Sequence, residues 1–574
     1  MLDRARNSST DRSTDKWQES SRHMDTDLHL RSLAGLFAAS AGRAELAGKV
    51  CTEIQRIDRT ERITYGELAA KATGFAGWLM ESAGVYIGEH VAIIGKNRAD
   101  WDVALWGVIL AGAVPVLIDP ERPVEGALTH LRQTDSSGLI VADDYQDMES
   151  RRELCEFVEG RGHICLDMSE LPQTGTGDVF ELAGRVEQQV YLDDTAAILC
   201  TSGTTGDPRE VELTHRNLLA NIEGSVEKVQ IGDDDRLGHI LPPHHSFGLT
   251  VGKMLPLRAG ATSVYTNHYR QIADFIREQG ITIFIAVPAL FCVLGKALEE
   301  SIQREKEKKL HVRLLDRYMP KVLGKAVVRK LGWQSLRFCL SGSAAMPTWV
   351  LDAFWRRGLL LYEGYGTTEN SPVYGFNEDG GRLGSVGKPI STLRVKIVDD
   401  ELTELPAFET GQIALGGPCI MKGYYKNPKA TQAVLWTDDE GVRWLQTGDL
   451  GYLDDEGNLY ITGRKKYVIV LPGGKNVNPE LVEAALSEAR FVAEVLVVPH
   501  VYGDKEEAVR AIVRPALDAL AGHTELSEAD LAEQIHVVKK LVWQSIHECQ
   551  SRSRRLSSYE KISSQHLDIR IDEF

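Results

Sequence analysis

The feature that most constrains the fold is a regular alternation of amphipathic helical stretches and short, wholly apolar segments. Residues 65–82 have helical periodicity, the apolar segment His90–Ile94 follows, and residues 139–141 repeat the short apolar pattern. Short apolar runs between helices are typical of strands buried on both faces of a parallel sheet. The alternation therefore predicts an α/β fold built on doubly wound parallel sheets.

Length and local pattern predict more than one domain. The chain has 574 residues, 43% of them hydrophobic, which is more than a single core usually organises. Beyond Leu383, short alternating strands with Gly and Pro between them indicate a small β-barrel. We expect a disordered tail at 1–25, a large N-terminal domain at 26–463, a hinge at 464–466 and a small, mobile α+β domain at 467–574.

Charge and cysteine usage exclude several classes of protein. A net charge of −17 argues against a general nucleic-acid binder. The eight cysteines contain no Cys-x-x-Cys pair, so neither a zinc ribbon nor a disulfide framework is predicted and a cytoplasmic location is expected. The longest uncharged stretch, 103–118, is shorter than a bilayer span of roughly 20 residues and is predicted as a buried helix leading into a buried strand.

One segment has the composition of a phosphate-binding loop. Residues 199–209 read Leu-Cys-Thr-Ser-Gly-Thr-Thr-Gly-Asp-Pro-Arg and follow an apolar strand. Glycines let backbone N–H groups approach an anion, hydroxyls donate, and the cation neutralises charge. The spacing is not that of a Walker loop. A surface loop has a similar composition, so this segment needs support from other motifs.

Other motifs supply that support. A second Ser/Gly segment, 341–345, also follows an apolar run, and ligands of doubly wound sheets bind at such strand ends. Further motifs come in the order Tyr365-Gly366-Thr367-Thr368-Glu369, Gly411 to Thr431, Thr447-Gly448-Asp449 and Gly463-Arg464-Lys465-Lys466. Together with 201–209, the series resembles that of the adenylate-forming (AMP-binding) superfamily, and long-chain acyl-CoA synthetases within it. The resemblance runs from about residue 30 to the last residue.

The resemblance implies a site for ATP and Mg²⁺. The phosphates would be wrapped by Thr201, Ser202, Gly203, Thr204, Thr205 and Gly206. Adenine and ribose would be bound by Gly342, Ser343, Ala344, Gly364, Tyr365, Gly366, Asp449 and Arg464. The catalytic residues would be Arg209, Thr368, Glu369 and His245, with Glu369 as the Mg²⁺ ligand. Lys466 occupies the hinge position.

Two residues depart from the family pattern. Arg209 stands where lysine is usual, and Glu210 replaces a glycine, which places a carboxylate beside the cation. We expect a modest loss of ATP affinity or rate from this pair.

His245 falls at the histidine of the Pro-x-x-His-x-x-Gly pattern and would edge the acyl pocket. A metal at the His244–His245 pair is disfavoured because no third ligand follows at helical spacing.

The implied reaction has two steps and small-molecule partners. A carboxylate attacks the α-phosphorus of ATP, and a thiol, that of coenzyme A, then displaces AMP. A long, cation-rich helical stretch lies between residues 300 and 332, and Pro320 would kink it. It resembles an elaborated segment of long-chain acyl-CoA synthetases, and this resemblance implies a medium- to long-chain fatty acid as the substrate. Two interpretations of 301–330 stay open, namely a helix solvated on one side and a peripheral membrane contact.

One family motif is not found. Family members end with a Pro-Arg-Thr-x-x-Gly-Lys segment whose lysine acts in adenylation, and this sequence reaches only the approach to it, residues 559–574. A truncated product, a separate chain that supplies the lysine, and a protein that has given up adenylation would each explain this. The expectations are therefore an acyl-CoA synthetase with weakened adenylation, a catalytically impaired nucleotide or acyl-adenylate binder, or a ligase that loads a carrier protein.

Overall fold

The computed structural model describes residues 30–172, 177–201, 209–268, 271–308, 310–378, 382–471, 475–502, 505–521, 535–552 and 567–569. The predicted tail at 1–25 and most of the predicted phosphate loop lie outside these residues.

The strands alternate with helices over most of the large domain. The first strands are β1 (Val50–Gln55), β2 (Thr60–Thr64), β3 (His90–Ile94), β4 (Val114–Ile118), β5 (Gly138–Val141), β6 (Ile164–Asp167), β7 (Thr195–Thr201), β8 (Arg209–Thr214), β9 (Arg236–His239), β10 (Thr262–Thr266), β11 (Ile283–Ala286), β12 (Phe338–Ser341) and β13 (Leu361–Tyr365). The later strands are β14 (Gly375–Phe376), β15 (Lys388–Pro389), β16 (Arg394–Val398), β17 (Gly411–Gly416), β18 (Gly423–Tyr424), β19 (Leu435–Thr437), β20 (Arg443–Leu453), β21 (Leu459–Arg464), β22 (Ile469–Leu471), β23 (Lys475–Val477), β24 (Val492–Tyr502), β25 (Lys505–Pro515) and β26 (Leu567–Ile569).

The helices cover the sheets on both faces. They are Leu33–Ala41, Tyr65–Glu81, Ala99–Leu110, Val124–Gln133, Met148–Glu159, Val179–Glu187, His215–Val229, Leu255–Ala259, Ile272–Glu278, Pro288–Lys308, Leu310–Tyr318, Pro320–Leu331, Thr348–Arg356, Pro428–Gln432, Pro479–Ser487, Leu517–Ala521 and Ile535–Arg552, with a π-helical segment at Gly248–Met254. Within the described residues, none of these helices has the length and apolar character that crossing a bilayer requires.

Two large sheets confirm the predicted doubly wound architecture. One has the order β18-β8-β7-β4-β3-β5-β6 and the other β15-β14-β13-β12-β11-β9-β10-β1-β2. The strands β7, β4, β3, β5 and β6 of the first sheet pair in parallel, as do β1, β10, β9, β11, β12 and β13 of the second. Antiparallel strands lie at one edge of the first sheet and at both edges of the second. The strand order runs in both directions from β3 in the first sheet and from β9 in the second, which requires helices on both faces.

Local sequence explains why these elements start where they do. The helix Tyr65–Glu81 begins after a capping box, in which the Thr64 side chain accepts from the backbone of Glu67 and the Glu67 carboxylate accepts in return. The predicted buried helix and strand of 103–118 are found as Ala99–Leu110 and β4, both almost wholly buried. Pro320 ends one helix and opens the next, as its missing N–H dictates.

The region predicted as a small barrel is a five-stranded antiparallel sheet. Its path is β16-β17-β20-β19, and β21 pairs with β20. β17 pairs along one edge of the long strand β20, while β19 and β21 pair with opposite ends of its other edge. β21 leads into a 3₁₀ turn at Lys465–Tyr467, after which β22–β26 and two longer helices form the smaller C-terminal region around its own apolar cluster.

One cysteine pair differs from the expectation. A disulfide joins Cys155, near the end of the helix Met148–Glu159, to Cys165 in β6, with the two Cα atoms 5.3 Å apart. The pairing arises because the helix and the next strand pack side by side across a short turn, which brings residues ten apart in sequence into reach. Spacing along the chain carries no signature of that contact.

Candidate active site

A cavity of about 1190 Å³ lies where the carboxyl ends of β12 and β13 face the antiparallel sheet. Parallel strands end together at one edge of a sheet, so loops that follow neighbouring strands converge there. The predicted site residues that line the cavity are Arg209, His245, Gly342, Ser343, Gly364, Tyr365, Gly366, Thr368, Glu369, Asp449, Arg464 and Lys466. Six separate motifs are thus brought to one space.

The remaining predicted residues are placed differently. Ala344 is exposed and is not part of the cavity wall. Thr201 is the last residue of β7 and pairs in register with Arg209 at the start of β8. The residues between them, which include Ser202, Gly203, Thr204, Thr205 and Gly206, lie outside the described residues. Arg209 lines the cavity, and its register partner Thr201 ends the neighbouring strand.

Tyr365 and Asp449 join two of the motifs directly. The Tyr365 hydroxyl donates to Oδ2 of Asp449 at 2.6 Å, and Arg464 Nε lies 3.2 Å from Oδ1 of the same carboxylate. Asp449 is only 7% exposed, and this burial raises its pKa above the ordinary value. Burial and the nearby Asp449 charge hold the pKa of Tyr365 well above 10.0, so its hydroxyl keeps its proton and stays a donor.

A glycine fixes the loop that follows Tyr365. A Cβ on Gly366 would lie 1.6 Å from the carbonyl oxygen of Pro372, so no side chain fits there. The loop can therefore pass close to the segment that leads into β14 and turn Thr368 and Glu369 into the cavity, on a 3₁₀ turn at Thr368–Asn370. The sequence motif indicated the glycine, and the close backbone approach is its physical reason.

Glu369 is held by an aromatic residue that sequence reasoning quoted in a motif without assigning it a place in the site. The Tyr424 hydroxyl donates to Oε1 of Glu369 at 2.9 Å, and the Arg209 guanidinium lies 4.9 Å from the centre of the Tyr424 ring. Burial, followed by the Glu369 charge, raises the pKa of Tyr424, which keeps its hydroxyl protonated. One tyrosine thus positions both a carboxylate and a cation at the cavity wall.

The expected carboxylate beside Arg209 is not there, and this part of the prediction needs correction. The Glu210 side chain points away from the cavity, and its Oε1 lies 2.9 Å from Nδ1 of the fully buried His130. Successive side chains of a strand face opposite sides, so Arg209 and Glu210 of β8 point in opposite directions. The Glu210 carboxylate is paired in the core rather than placed against the cation.

The two histidines of the Pro-Pro-His-His segment have different surroundings. His245 lines the cavity, whereas His244 is 7% exposed with Nε2 at 3.4 Å from Oδ1 of Asp119. Burial lowers the pKa of His245 and, together with the neighbouring His245, lowers that of His244 to about 4. Both rings are therefore neutral near pH 7. The adjacent Ser246 hydroxyl lies 3.1 Å from that of Thr368 and links this segment to the glycine-rich loop.

The cavity has an apolar end as well as a polar one. Its apolar wall is built from Ile240, Leu241, Phe247, Val287, Ala289, Leu290, Val293, Leu340 and Phe376. Three of these residues stand on the first turns of the helix Pro288–Lys308. Such a division between convergent polar groups and an apolar recess suits a ligand with one charged and one hydrocarbon part.

The donor set is compatible with Mg²⁺ held together with a phosphate ligand. Mg²⁺ takes one or two carboxylates and completes its shell with waters and substrate phosphates. Glu369 presents one carboxylate to the cavity beside the Thr368 hydroxyl, which fits that requirement. Among the residues described, no group of three or more His, Cys, Asp or Glu side chains is arranged as a metal cage.

The residue predicted as the hinge, Lys466, lies between β21 and the smaller C-terminal region. Lys466 is exposed, lines the cavity edge and stands in the 3₁₀ turn after β21. Just beyond it, burial raises the pKa of Glu480 on the helix Pro479–Ser487, where Arg464 and Asp449 also act on its charge. The large domain and the C-terminal region are also joined by a hydrogen bond, in which the Thr348 hydroxyl donates to the Glu488 carboxylate at 3.1 Å.

Comparisons with known proteins agree with this geometry. The family described as AMP-binding enzyme matches residues 42–425. The long-chain-fatty-acid–CoA ligase of Bacillus subtilis is 30% identical over 509 residues, which cover 81% of this chain and 83% of that protein. The 2-succinylbenzoate–CoA ligase of Bacillus velezensis is 29% identical over 77% of this chain and 81% of its own.

The fold has solved counterparts. The crystal structure of ATP-bound MatB from Rhodopseudomonas palustris aligns with a TM-score of 0.71 and 23% sequence identity, and the alignment covers 95% of each chain. This likeness extends over the large domain and the C-terminal region alike. The family match spans well over half of the sequence and includes most of the motifs that meet at the cavity. The chain is therefore a member of the AMP-binding enzyme family, an adenylate-forming ligase.

Proposed function

We propose that this protein converts a medium- to long-chain fatty acid to its CoA thioester through an acyl-adenylate. The observation that carries the proposal is the single cavity in which an apolar recess adjoins the polar cluster of Tyr365, Glu369, Asp449 and Arg209. A fatty acid needs a hydrocarbon recess, and its carboxylate must meet a nucleotide phosphate. Both requirements are satisfied by one continuous space.

The nucleotide would lie across the polar end. The buried Asp449 carboxylate would accept hydrogen bonds from the ribose hydroxyls, and Arg464 would donate to the same sugar. The Tyr365 ring, flanked by Gly364, would lie against adenine with Gly342 opposite. Residues 201–206 and Arg209 would take the β- and γ-phosphates, because backbone N–H groups and a cation are what such anions require.

The acid would be activated mainly by positioning and charge neutralisation. Its carboxylate oxygen attacks the α-phosphorus, the bond to the bridging oxygen breaks, and pyrophosphate leaves with the electron pair. Thr368 would hydrogen-bond the α-phosphate. Mg²⁺, bound by Glu369 and the nucleotide, would neutralise charge on the phosphates. The neutral His245 would line the entrance to the acyl recess.

The second step would need a rearrangement at the hinge. We infer a large domain at 26–463, a hinge at 464–466 and a C-terminal domain at 467–574, with Lys466 absorbing the change in backbone angles. The thiol of coenzyme A then attacks the acyl carbon, and AMP leaves. The exposed position of Lys466 in a short 3₁₀ turn between β21 and β22 supports this role.

A chain-length series tests the acid assignment. Thioester formation is measured with ATP, Mg²⁺ and CoA, or a carrier protein in place of CoA, for acetate, octanoate, dodecanoate, palmitate, benzoate and 2-succinylbenzoate. We expect kcat/KM to rise with chain length, because each buried methylene is worth about 0.8 kcal/mol. A preference for acetate or either aromatic acid over dodecanoate would contradict the fatty-acid assignment. Faster acyl transfer to the carrier protein than to CoA would show that the carrier protein, and not CoA, is the acceptor.

A further inference from the structure

A second surface, away from the polar end of the cavity, combines exposed apolar side chains with positive charge. It lies on the helices Leu310–Tyr318 and Pro320–Leu331, which meet at Met319. We define the helix-pair surface by its exposed residues Arg313, Leu314, Arg317, Tyr318, Met319, Lys321, Val322 and Lys325. Its large apolar members are Leu314, Tyr318, Met319 and Val322, with 52, 70, 52 and 45% exposure.

The charge of this surface is opposite to that of the whole chain. Residues 313–330 contain six Lys or Arg and a single acidic residue, Asp316, in a chain with net charge −17. Asp316 is already engaged, because Lys306 Nζ lies 2.6 Å from its carboxylate and Arg357 pairs with the other oxygen. Lys321 and Lys325 have no ion-pair partner among the residues that the structure describes. Their charge faces solvent uncompensated.

The exposed apolar residues are not a core face that failed to pack. The opposite side of the pair is filled by Val312 and Leu323, each under 9% exposed and part of the apolar cluster around β11 and β12. Gly324 touches the main chain so closely that a Cβ would lie 1.8 Å from the Arg357 carbonyl oxygen. Arg357, 4% exposed, is fixed in turn by Glu299 at 3.0 Å. The surface is therefore held rigidly in place.

We propose that the helix-pair surface docks on an anionic lipid bilayer. Tyr318 and Met319 form an apolar tip flanked by Arg317 and Lys321, and an aromatic residue among cations suits the boundary between headgroups and acyl chains. Stable peripheral binding takes two signals, and here the second is the unpaired basic charge. An acidic protein partner would also neutralise the basic charges, but its binding would not explain why the apolar side chains at the tip are exposed.

The location of this surface fits the proposed substrate, and this part of the inference rests on the proposed function. The acyl recess is walled by Ala289, Leu290 and Val293 on the helix Pro288–Lys308, which leads along the chain into the helix pair. Val293 is 62% exposed, so the recess wall reaches the protein surface. A fatty acid taken from a bilayer would then enter on the side that faces the lipid.

Vesicle sedimentation tests the docking without ATP, acid or CoA, so it does not depend on the enzymatic proposal. We expect the full chain to bind vesicles of phosphatidylcholine and phosphatidylglycerol (7:3), to bind pure phosphatidylcholine far less, and to detach as NaCl is raised. The variant Lys321→Glu/Lys325→Glu should lower the partition coefficient at least 25-fold, since each basic residue near an anionic surface contributes roughly fivefold. Tyr318→Ser/Met319→Ser should weaken binding even at low salt.

Matched variants control for charge and hydrophobicity alone. Arg152→Glu/Arg185→Glu makes the same change in net charge on helices of the other sheet, and Ile57→Ser/Met148→Ser removes apolar side chains that are even more exposed, at 90 and 89%. Both should bind like the unaltered chain. Equal loss in the controls, or unchanged binding in the helix-pair variants with unchanged thermal midpoints, would overturn the proposal. Helix-pair variants that lose binding to an acidic carrier protein instead of vesicles would identify a protein-docking surface and also overturn it.

Discussion

The hydroxyl of Tyr365 donates a 2.6 Å hydrogen bond to the buried carboxylate of Asp449, although the two residues are 84 positions apart in sequence. The bond connects the last residue of β13 to the strand β20. It holds Asp449 in one orientation and favours its ionised form, against the burial that raises its pKa. The nucleotide site that we propose depends on this link between the two sheets.

Tyr365→Phe should therefore weaken ATP binding. A hydrogen bond to a charged group contributes about 1.5–3 kcal/mol, and at the lower end ATP would bind roughly tenfold more weakly. The loss should be larger at acidic pH, because removal of the donor raises the pKa of Asp449 further and protonated Asp449 cannot accept from both ribose hydroxyls. Calorimetric titration with a non-hydrolysable ATP analogue from pH 5 to 8 measures both effects. Tyr374→Phe is the control, since that neighbouring buried hydroxyl makes only a 3.4 Å contact with the Gly387 carbonyl.

Tyr424→Phe should change the Mg²⁺ requirement. The variant keeps the ring under Arg209 but removes the donor that positions Glu369. We expect the half-saturating Mg²⁺ concentration for pyrophosphate release to rise roughly fivefold, which corresponds to about 1 kcal/mol for one partly exposed hydrogen bond. Tyr425→Phe, one residue along the chain, should leave the Mg²⁺ titration unchanged. Identical Mg²⁺ titrations for both variants would show that the Tyr424 hydroxyl has no role in metal binding and would contradict the prediction.

A buried ion pair should be critical for stability. Lys253 in the π-helical segment lies 2.8 Å from Asp102, and each side chain is 3% exposed. Lys253→Met leaves the Asp102 charge buried and without its partner, at a cost of about 3–5 kcal/mol. The double variant Asp102→Leu/Lys253→Met should recover at least half of the decrease in the midpoint of thermal unfolding, because no unpaired charge is left. A double variant less stable than Lys253→Met would contradict this reading of the pair.

Buried histidines should make the fold acid-sensitive. Burial lowers the pKa of His215 to about 4 and that of His239 to about 3, from 6.5. Between pH 6.5 and 4 the unfolded chain binds protons that the folded chain does not, so stability falls as pH falls, by up to about 3 kcal/mol for each group. Thermal midpoints across this range measure the loss. His215→Asn, which keeps an acceptor for the Leu33 N–H, should flatten the profile, and the exposed His547→Asn should not.

Much of the fold was predictable from local pattern, because strands buried on both faces must be apolar throughout. β3 coincides with the predicted His90–Ile94, and the helix after Thr64 starts at the predicted residue. The π-helical segment at Gly248–Met254 was not predicted, and the ion pair between its Lys253 and Asp102 joins residues that are far apart in sequence. The Cys155–Cys165 bond was missed because spacing along the chain carries no signature of it.

The site was predictable as a set of motifs but not as a set of contacts. Tyr424 stood in a quoted motif, yet its bond to Glu369 depends on how β18 pairs with β8. The Glu210 side chain was placed beside Arg209 because neighbours in sequence suggest neighbours in space, whereas strand alternation turns it to His130. Such relationships arise from sheet register, which sequence motifs do not specify.

Acid-dependent exchange of labelled pyrophosphate into ATP tests the central claim most directly, because label enters ATP only when acyl-adenylate forms and reverts. The measurement uses the unaltered chain with Mg²⁺ and dodecanoate, beside an Asp449→Ala variant and a reaction without acid. We predict exchange that requires dodecanoate and falls at least tenfold in Asp449→Ala, in line with the loss of a charged hydrogen-bond acceptor worth about 1.5–3 kcal/mol. ATP binding without exchange for any acid in the chain-length series, or exchange indifferent to Asp449→Ala, would contradict the account.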